Sequence, residues 1–381
     1  MRVLVVHNQL WAHYKSRLFS EMNRVLKETE PDSEFLVAQI ALYEASRSAM
    51  QNDETVRYDY PYQVLFERSL DSVSLKDRLT ALFKIFKSYN PTVLNITGYF
   101  DMAQIALLFY AKAKGVKVVI SSESSPGDHE RSGFREFVKK CMISPANGFF
   151  CFGKSSANYI EKLGINPSRI LVRNAAVVDE ETIRSRFEMA KEVIEAPENI
   201  ARQFIYVGRL APEKNLELMI RAFKGMLKNS VTDPGWNLLL VGNGPARLEL
   251  EKLGADLGLK GRVIFAGGFP WYQIPEWLAK SDVLILPSKS EPWGLVVNEA
   301  MICGMPVIVS QKCGCVDDLV KNERNGFIFD PKNQKELENA MQHFVENPEK
   351  IAAMGSESLK LIAPFSSAKV ASKMIESYKM L

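Results

Sequence analysis

Two glutamates in the second half of the chain, Glu291 and Glu299, lie on either side of a glycine and a predicted helix start. Gly294, between them, lets a ligand approach the backbone closely, and the helix is predicted over 295–303. The first N–H groups of a helix have no partner within it, so they form a predicted diphosphate site. Ionised carboxylates only accept hydrogen bonds, so they suit hydroxyl groups. One glutamate is predicted to bind the hydroxyls of a ribose on one side of the diphosphate, and the other those of a sugar on the other side. The N–H groups concerned belong to Gly294, Leu295 and Val296.

A second predicted strand-to-helix junction carries two cations, Arg209 and Lys214. The strand ends just before Gly208, which begins the turn. Arginine offers a planar fork of N–H donors and lysine a point charge, a combination that suits phosphate. We therefore predict that the two side chains converge on one anion. The alternative for these cations is ordinary surface charge. For the two glutamates it is a loop residue in water and a helix residue in a salt bridge.

Two further glycine-containing turns follow predicted strands of the same half. Gly242 and Asn243 end one strand, and Gly268 and Phe269 follow the next. In an open parallel sheet, ligands bind beyond the carboxyl ends of the strands, where these turns lie. Both turns are predicted to border the same ligand, and the second to offer backbone groups to a nucleotide base.

These turns need a scaffold of parallel strands, and the chain has the pattern for one. Apolar strand-like runs alternate with longer helical patterns, and the alternation restarts near residue 203. Near-continuous apolar strands between helices are typical of parallel sheets covered on both faces. The sequence therefore predicts an α/β protein with two doubly wound domains, over 1–176 and 203–363, joined by a charged linker at 177–202. The predicted strands span 2–6, 34–39, 93–96, 117–121, 148–152, 204–207, 236–241, 262–265, 283–287 and 306–309.

Length and charge agree with two soluble domains. With 381 residues the chain is too long for one ordinary core. Its net charge of +3 is small, whereas nucleic-acid binders usually carry a concentrated basic face, so no nucleic-acid partner is expected. No apolar run reaches the roughly 18–20 residues of a membrane span. The first residues have the pattern of a strand and not of a signal peptide.

Cysteine usage and one basic segment bear on location. Five cysteines, an odd number, favour a reducing cytoplasm over secretion. Cys313 and Cys315 have no second cysteine pair and no nearby histidine, so no metal site is predicted. One helical segment mixes aromatic and basic residues, which fits either an ordinary solvated helix or peripheral contact with the inner face of the cytoplasmic membrane. Its residues are Phe134, Arg135, Phe137, Lys139 and Lys140.

The region around the two glutamates resembles the signature of the family 4 (group 1) retaining glycosyltransferases, which have the GT-B fold. Glu291 and Glu299 have seven residues between them, and Ala300, Met301 and Gly304-x-Pro306 follow. The segment from Gly208 to Lys214 matches the family's phosphate motif. The resemblance is specific over the second half of the chain and weaker over the first. One departure is Gly314-Cys315, where the family has two glycines.

The resemblance implies two Rossmann-like domains that face each other across a cleft. It further implies a C-terminal helix, at about 364–381, that crosses back to the N-terminal, acceptor-side domain. By the same resemblance, Arg209 and Lys214 clamp the donor diphosphate and stabilise it as the leaving group. Glu291 then contacts the donor sugar, and Glu299 holds the ribose.

The implied activity is retaining transfer of a hexose-type sugar from a nucleotide-diphosphate sugar, with no metal and no other cofactor. The acceptor would be a glycan, a lipid-linked molecule or a small molecule, in bacterial surface polysaccharide or glycoconjugate synthesis. The alternatives are a nucleotide-sugar epimerase of similar fold and a non-catalytic nucleotide-sugar binding protein. The base, the sugar, the acceptor and the oligomeric state stay open.

The first half of the chain departs from the family at one position of interest. Many members have a histidine near the donor sugar after the strand at 117–121, and this chain has Glu123 in that region. Glu123 is predicted to take the catalytic place of the histidine, the alternative being an exposed loop residue. The loop after the first strand is rich in aromatic and polar groups, which suit sugars. The predicted acceptor residues are Trp11, His13, Tyr14, Lys15 and Tyr99.

Overall fold

The computed structural model describes residues 1–45, 58–123, 133–193, 201–229 and 235–381, without the side chain of His13. These residues form two compact units. The first comprises Met1–Asp179 and Pro364–Leu381, and the second comprises Glu180–Ala363.

The first unit is built on a seven-stranded parallel sheet with the order β3-β2-β1-β4-β5-β6-β7. Its central strands are apolar and fully buried, as expected for parallel strands covered on both faces. The strands are β1 Arg2–Gln9, β2 Glu34–Tyr43, β3 Tyr62–Ser69, β4 Val93–Thr97, β5 Lys117–Ser122, β6 Gly148–Cys151 and β7 Ile170–Val172. The helices are α1 His13–Thr29, α2 Leu75–Tyr89, α3 Met102–Ala113, α4 Gly133–Ile143, α5 Lys154–Lys162 and the last helix of the chain, α14 Ser367–Lys379.

The second unit is built on a six-stranded parallel sheet with the order β10-β9-β8-β11-β12-β13. The strands are β8 Arg202–Val207, β9 Trp236–Val241, β10 Val263–Gly267, β11 Val283–Leu286, β12 Val307–Ser310 and β13 Gly326–Phe329. The helices are α6 Glu180–Val193, α7 Leu216–Asn229, α8 Arg247–Asp256, α9 Ile274–Ala279, α10 Leu295–Ile302, α11 Val316–Leu319, α12 Gln334–Glu346 and α13 Lys350–Ile362. The order places β8 and β11, whose ends carry the predicted cations and glutamates, side by side.

The predicted class, two doubly wound α/β units, is confirmed. The C-terminal segment groups with the first unit, as the resemblance implied. The apolar face of α14 is buried there, and the Asn95 amide donates a hydrogen bond of 2.6 Å to the Tyr378 hydroxyl.

Three strands were not predicted, and each has a physical reason. β3 is an edge strand whose side chains are largely exposed or half-buried, so it lacks the continuous apolar pattern of its neighbours. β7 has only three residues, and β13 has four and begins at the glycine of an Asn-Gly pair that is typical of a turn.

The prediction that 177–202 is a linker is wrong over much of that segment. It contains helix α6, which belongs to the second unit. Arg186 of this helix lies over the Tyr272 ring, 5.0 Å from its centroid, and Ile183 is buried. Over Glu180–Val193 the high charge reflects the exposed face of a surface helix.

Candidate functional site

Three neighbouring strands of the second unit end in glycines that pack against one another. Gly208, Gly242 and Gly267 follow or end β8, β9 and β10, and all three have positive φ angles. The Gly242 N–H donates to the Gly267 carbonyl at 2.7 Å. A Cβ added to Gly242 would lie 1.8 Å from the Gly208 carbonyl oxygen. Any other residue at Gly242 would therefore push the two turns apart.

The turn that carries Lys214 is fixed to two other loops. Residues Pro212–Lys214 form a single 3-10 turn that ends at Asn215 in the left-handed conformation. The buried Asn215 amide donates to the Pro331 carbonyl at 2.9 Å. The Glu213 carbonyl accepts from the Lys289 N–H at 2.8 Å. Lys214 thus extends from a rigid support.

Both predicted cations are paired with carboxylates. The Lys214 ammonium donates to Glu291, in a pair whose side chains are both largely buried. The Arg209 guanidinium donates through Nη2 to Glu213 and is mostly exposed. The structure therefore brings Lys214 and Glu291 together from two junctions. Arg209 lies next to the same turn.

The loop that carries Glu291 is held in place by the loop that follows β12. The Gly314 N–H donates to the Glu291 carbonyl at 2.9 Å, and a Cβ on Gly314 would lie 1.9 Å from the Pro292 carbonyl oxygen. Cys315, which replaces the family's second glycine, is fully buried, and its N–H donates to the Trp293 carbonyl at 3.2 Å. The extra side chain of Cys315 is accommodated in the core, because its thiol packs beside Gly294.

Helix α10 begins immediately after that loop. Gly294 precedes it with a φ of 97°, and the Val297 N–H closes the first turn on the Gly294 carbonyl at 2.9 Å. Within the described ranges, no hydrogen-bond partner is observed for the N–H groups of Leu295 and Val296. The helix start therefore presents donors, as predicted.

Glu299 lies on the same helix, just over one turn from its start. Its carboxylate is half-buried, and desolvation raises its pKa to about 7. Among the described residues it has no ion-pair or hydrogen-bond partner, and no contact with Glu291 is observed. A carboxylate in this setting can accept hydrogen bonds from hydroxyl groups of a ligand.

The two remaining predicted turns also meet. A Cβ on Gly268 would lie 2.9 Å from the Asn243 amide nitrogen, so these two residues are in close contact. Arg247 donates to the Asn243 amide oxygen at 2.9 Å, which orients the side chain. Phe269 packs against Trp277, with ring centroids 4.7 Å apart.

Sequence reasoning missed Glu213, Trp277 and Tyr206 near this site. The Tyr206 hydroxyl donates to the Arg209 carbonyl at 2.9 Å, which fixes that residue's main chain. Glu213 could have been found, because it lies in the same predicted strand-to-helix junction as Arg209 and has the opposite charge. Trp277 and Tyr206 carry no such local signal.

In the first unit, Lys15 was predicted to contact an acceptor, and the structure gives it another partner. Its side chain is 5% exposed, and its ammonium lies 2.9 Å from the carboxylate of Glu123, whose side chain is 44% exposed. It also lies over the Phe152 ring, 4.5 Å from the centroid. The acceptor assignment of Lys15 therefore needs correction, since the charge that would bind a ligand is buried against Glu123.

Tyr99 also needs correction as an acceptor residue. It is 1% exposed, so its ring belongs to the core, whereas the adjacent Phe100 is 57% exposed and stacks on it. The predicted first loop is shorter than expected, because β1 extends to Gln9 and α1 begins at His13.

The other acceptor candidates lie near the end of β1. Trp11 stacks on Tyr43, with ring centroids 4.7 Å apart, and Tyr14 is in the first turn of α1. The side chain of His13 lies outside the described part of the structure.

Two parallel doubly wound units of this kind define a protein of the GT-B fold. The crystal structure of HepE from Anabaena in complex with UDP matches with a TM-score of 0.75 and 19% identity, over all of both chains. At this identity the likeness concerns the fold alone.

Residues 189–360 match the model of the family described as glycosyl transferases group 1. An uncharacterised glycosyltransferase of Methanocaldococcus jannaschii is 35% identical over 132 residues, which are 35% of this chain and 33% of that protein. The D-inositol 3-phosphate glycosyltransferase of Rhodococcus opacus is 32% identical over 186 residues, 46% of this chain and 40% of that protein. The match thus spans less than half the length of either relative.

Proposed function

We propose that the protein is a retaining hexosyltransferase that uses a nucleoside-diphosphate sugar as donor. The observation that carries the proposal is the pairing of Lys214 with Glu291. Arg209 lies next to this pair in the chain, and helix α10 begins shortly after Glu291. All of these residues lie in the region that matches the group 1 glycosyl transferase model. HepE, which shares the fold, has been solved with UDP and with UDP-glucose.

The proposed chemistry follows from the charges around the diphosphate. As the bond between the anomeric carbon and the diphosphate oxygen breaks, negative charge accumulates on the leaving group. Arg209, Lys214 and the N–H groups of α10 stabilise that charge. The acceptor oxygen bonds to the anomeric carbon on the same face, and its proton passes to the leaving diphosphate. Retention then needs no side-chain base and no metal.

The carboxylates take the remaining roles in this proposal. Glu291 contacts the donor sugar, and Glu299 accepts hydrogen bonds from the ribose hydroxyls. Glu123 takes the place of the family's histidine, with its charge balanced by Lys15. The Gly242 and Gly268 turns border the nucleotide.

We place the acceptor on the first unit, near Trp11 and Tyr14. It would be a glycan, a lipid-linked molecule or a small molecule of bacterial glycoconjugate synthesis, met on the cytoplasmic side. The first unit lies outside the matched region, 189–360.

Helix α4 supports a further part of the proposal, peripheral membrane contact. Phe134 is 77% exposed, and Phe137 and Val138 are also exposed, with Arg135 and Lys140 beside them. No helix of the described ranges is long and apolar enough to span a bilayer. An exposed aromatic stripe flanked by basic residues suits the surface of an anionic membrane.

Vesicle sedimentation tests this contact. The wild type should bind phosphatidylglycerol vesicles, and replacing Phe134 and Phe137 by Ser should weaken binding about tenfold or more, from the loss of buried apolar area. Phe109→Ser, at another exposed phenylalanine of the same unit, is the matched control. Equal binding by the double variant would exclude a role for α4.

A panel of UDP-, GDP- and ADP-sugars tests the catalytic proposal. NMR of the product should show transfer or slow hydrolysis with the donor's anomeric configuration kept. An inverted product would overturn retention. An epimerised sugar released without an acceptor would indicate the epimerase. Donor binding with neither transfer nor hydrolysis would indicate a binding protein.

A further inference from the structure

Glu213 is the acidic residue of the turn that also presents Lys214. The turn is held by the Pro212 ring, by the Asn215 amide on Pro331 and by the Lys289 N–H on the Glu213 carbonyl. The carboxylate of Glu213 therefore has a fixed support. Its own backbone N–H and the neighbouring Arg209 lower its pKa, so it is ionised at neutral pH.

Arg209 needs such a partner. Its side chain is 64% exposed and long, so in isolation it would sample many rotamers. The Tyr206 hydroxyl fixes only its main chain, at the carbonyl. The contact with Glu213 fixes the other end, the guanidinium.

The pairing leaves most of the guanidinium available. A guanidinium carries five N–H donors. The observed hydrogen bond uses Nη2 alone, on one carboxylate oxygen. The remaining donors can still form the forked contact that suits phosphate. This geometry orients the arginine without blocking it.

We infer that Glu213 is a positioning residue that holds the Arg209 guanidinium in the orientation that binds the donor diphosphate. This inference rests on the proposed function, because it takes Arg209 as a diphosphate ligand. Glu213 would have the opposite role, that of an inhibitor, if its negative charge competed with the diphosphate for the Arg209 guanidinium. Removing the charge would then tighten binding.

Three variants separate position from charge. Glu213→Ala removes both the carboxylate and its hydrogen bond. Glu213→Gln removes the charge but keeps an acceptor oxygen at the same reach. Glu217→Ala is the matched control, because Glu217 forms an equivalent pair four positions from Arg221, at 2.9 Å, on the adjoining helix.

The experiment measures binding of inorganic pyrophosphate to the full chain by calorimetry. Arg209→Ala should weaken binding about tenfold or more, and Glu213→Ala about three- to tenfold. Glu213→Gln should stay within about twofold of the wild type, and so should Glu217→Ala. Thermal unfolding midpoints check that the variants are folded.

Each other outcome is decisive. If Arg209→Ala weakens binding while Glu213→Ala binds as well as the wild type or more tightly, the positioning role is overturned and the diphosphate clamp stands. If Glu213→Gln loses as much as Glu213→Ala, charge and not position is responsible, and the inference fails. If Arg209→Ala binds normally, the clamp itself is wrong, and the inference falls with it.

Discussion

At the scale of single residues, the Lys214–Glu291 pair joins two predicted functional side chains that are distant in the chain. Burial strengthens the attraction between the two charges but also costs desolvation, and removing one partner leaves the other charge uncompensated. A ligand must therefore supply comparable interactions to compete for either group. A diphosphate next to Lys214 and sugar hydroxyls next to Glu291 would do so. The pair thus neutralises the charges of Lys214 and Glu291 until a ligand binds.

Loss of either cation should reduce turnover strongly. We expect Arg209→Ala and Lys214→Ala each to lower kcat by about 10²–10³, because each removes positive charge from the departing diphosphate. Steady-state rates with the best donor of the panel provide the measurement. Arg221→Ala, which removes an exposed arginine of α7, should leave the rate unchanged. Near-normal rates in both site variants would remove the phosphate-clamp assignment.

Glu299 should make nucleotide binding depend on pH. Desolvation raises its pKa to about 7, so the carboxylate becomes protonated as the pH falls through that value. The ionised form is the better acceptor for ribose hydroxyls, so binding of a nucleoside diphosphate should weaken from pH 8 to pH 6.

Calorimetric titrations of the wild type and of Glu299→Gln should be compared over this pH range. The variant lacks the titrating carboxylate, so it shows only the titration of the ligand's own phosphate. The same raised pKa makes the folded state bind a proton more tightly, so Glu299 lowers stability as the pH rises from about 4.5 to 7. Parallel pH profiles for the two proteins would contradict the assignment.

At the scale of elements, glycines let the strand ends of the second unit approach closely. Gly242 has a φ of 151° and lies against the Gly208 carbonyl, so an alanine there meets both backbone strain and a steric clash. We expect Gly242→Ala to cost about 2 kcal/mol or more of stability and to weaken pyrophosphate binding.

Gly254→Ala is the matched control for Gly242→Ala. Gly254 lies within α8 of the same unit, where a Cβ would meet only the Val263 side chain at 4.0 Å. Alanine favours a helix by up to about 1 kcal/mol relative to glycine, so this variant should be neutral or slightly stabilised. Thermal unfolding monitored by circular dichroism compares the two, and an unchanged melting temperature for Gly242→Ala would refute the argument.

At the scale of the whole molecule, the proposal is that the chain performs transfer with its own positive charge. Dialysis against EDTA should then leave turnover within about twofold of the untreated enzyme, because Arg209, Lys214 and the start of α10 act in place of a metal. A loss that added Mg²⁺ or Mn²⁺ restores would contradict metal independence. Untreated enzyme supplied with the same ions is the control.

The sequence by itself determined the class of fold and the strand ends at which the predicted donor residues lie. Buried parallel strands are continuous apolar runs, and the turns after them carry glycines and charges within a few positions, so both signals are local. This is why five of the six strands of the second unit and the Gly208, Gly242 and Gly294 turns were predicted close to their observed places.

Only the tertiary structure decided the pairings and the exposure of the first unit's candidates. Lys214 meets Glu291 and Lys15 meets Glu123 across long stretches of chain, and no local pattern specifies such contacts. Tyr99 and Phe100 are adjacent and similar in sequence, yet one is in the core and the other is exposed. That difference depends on which side chains pack over each ring. Local sequence sets what each residue can do, and long-range packing sets which of them can reach a ligand.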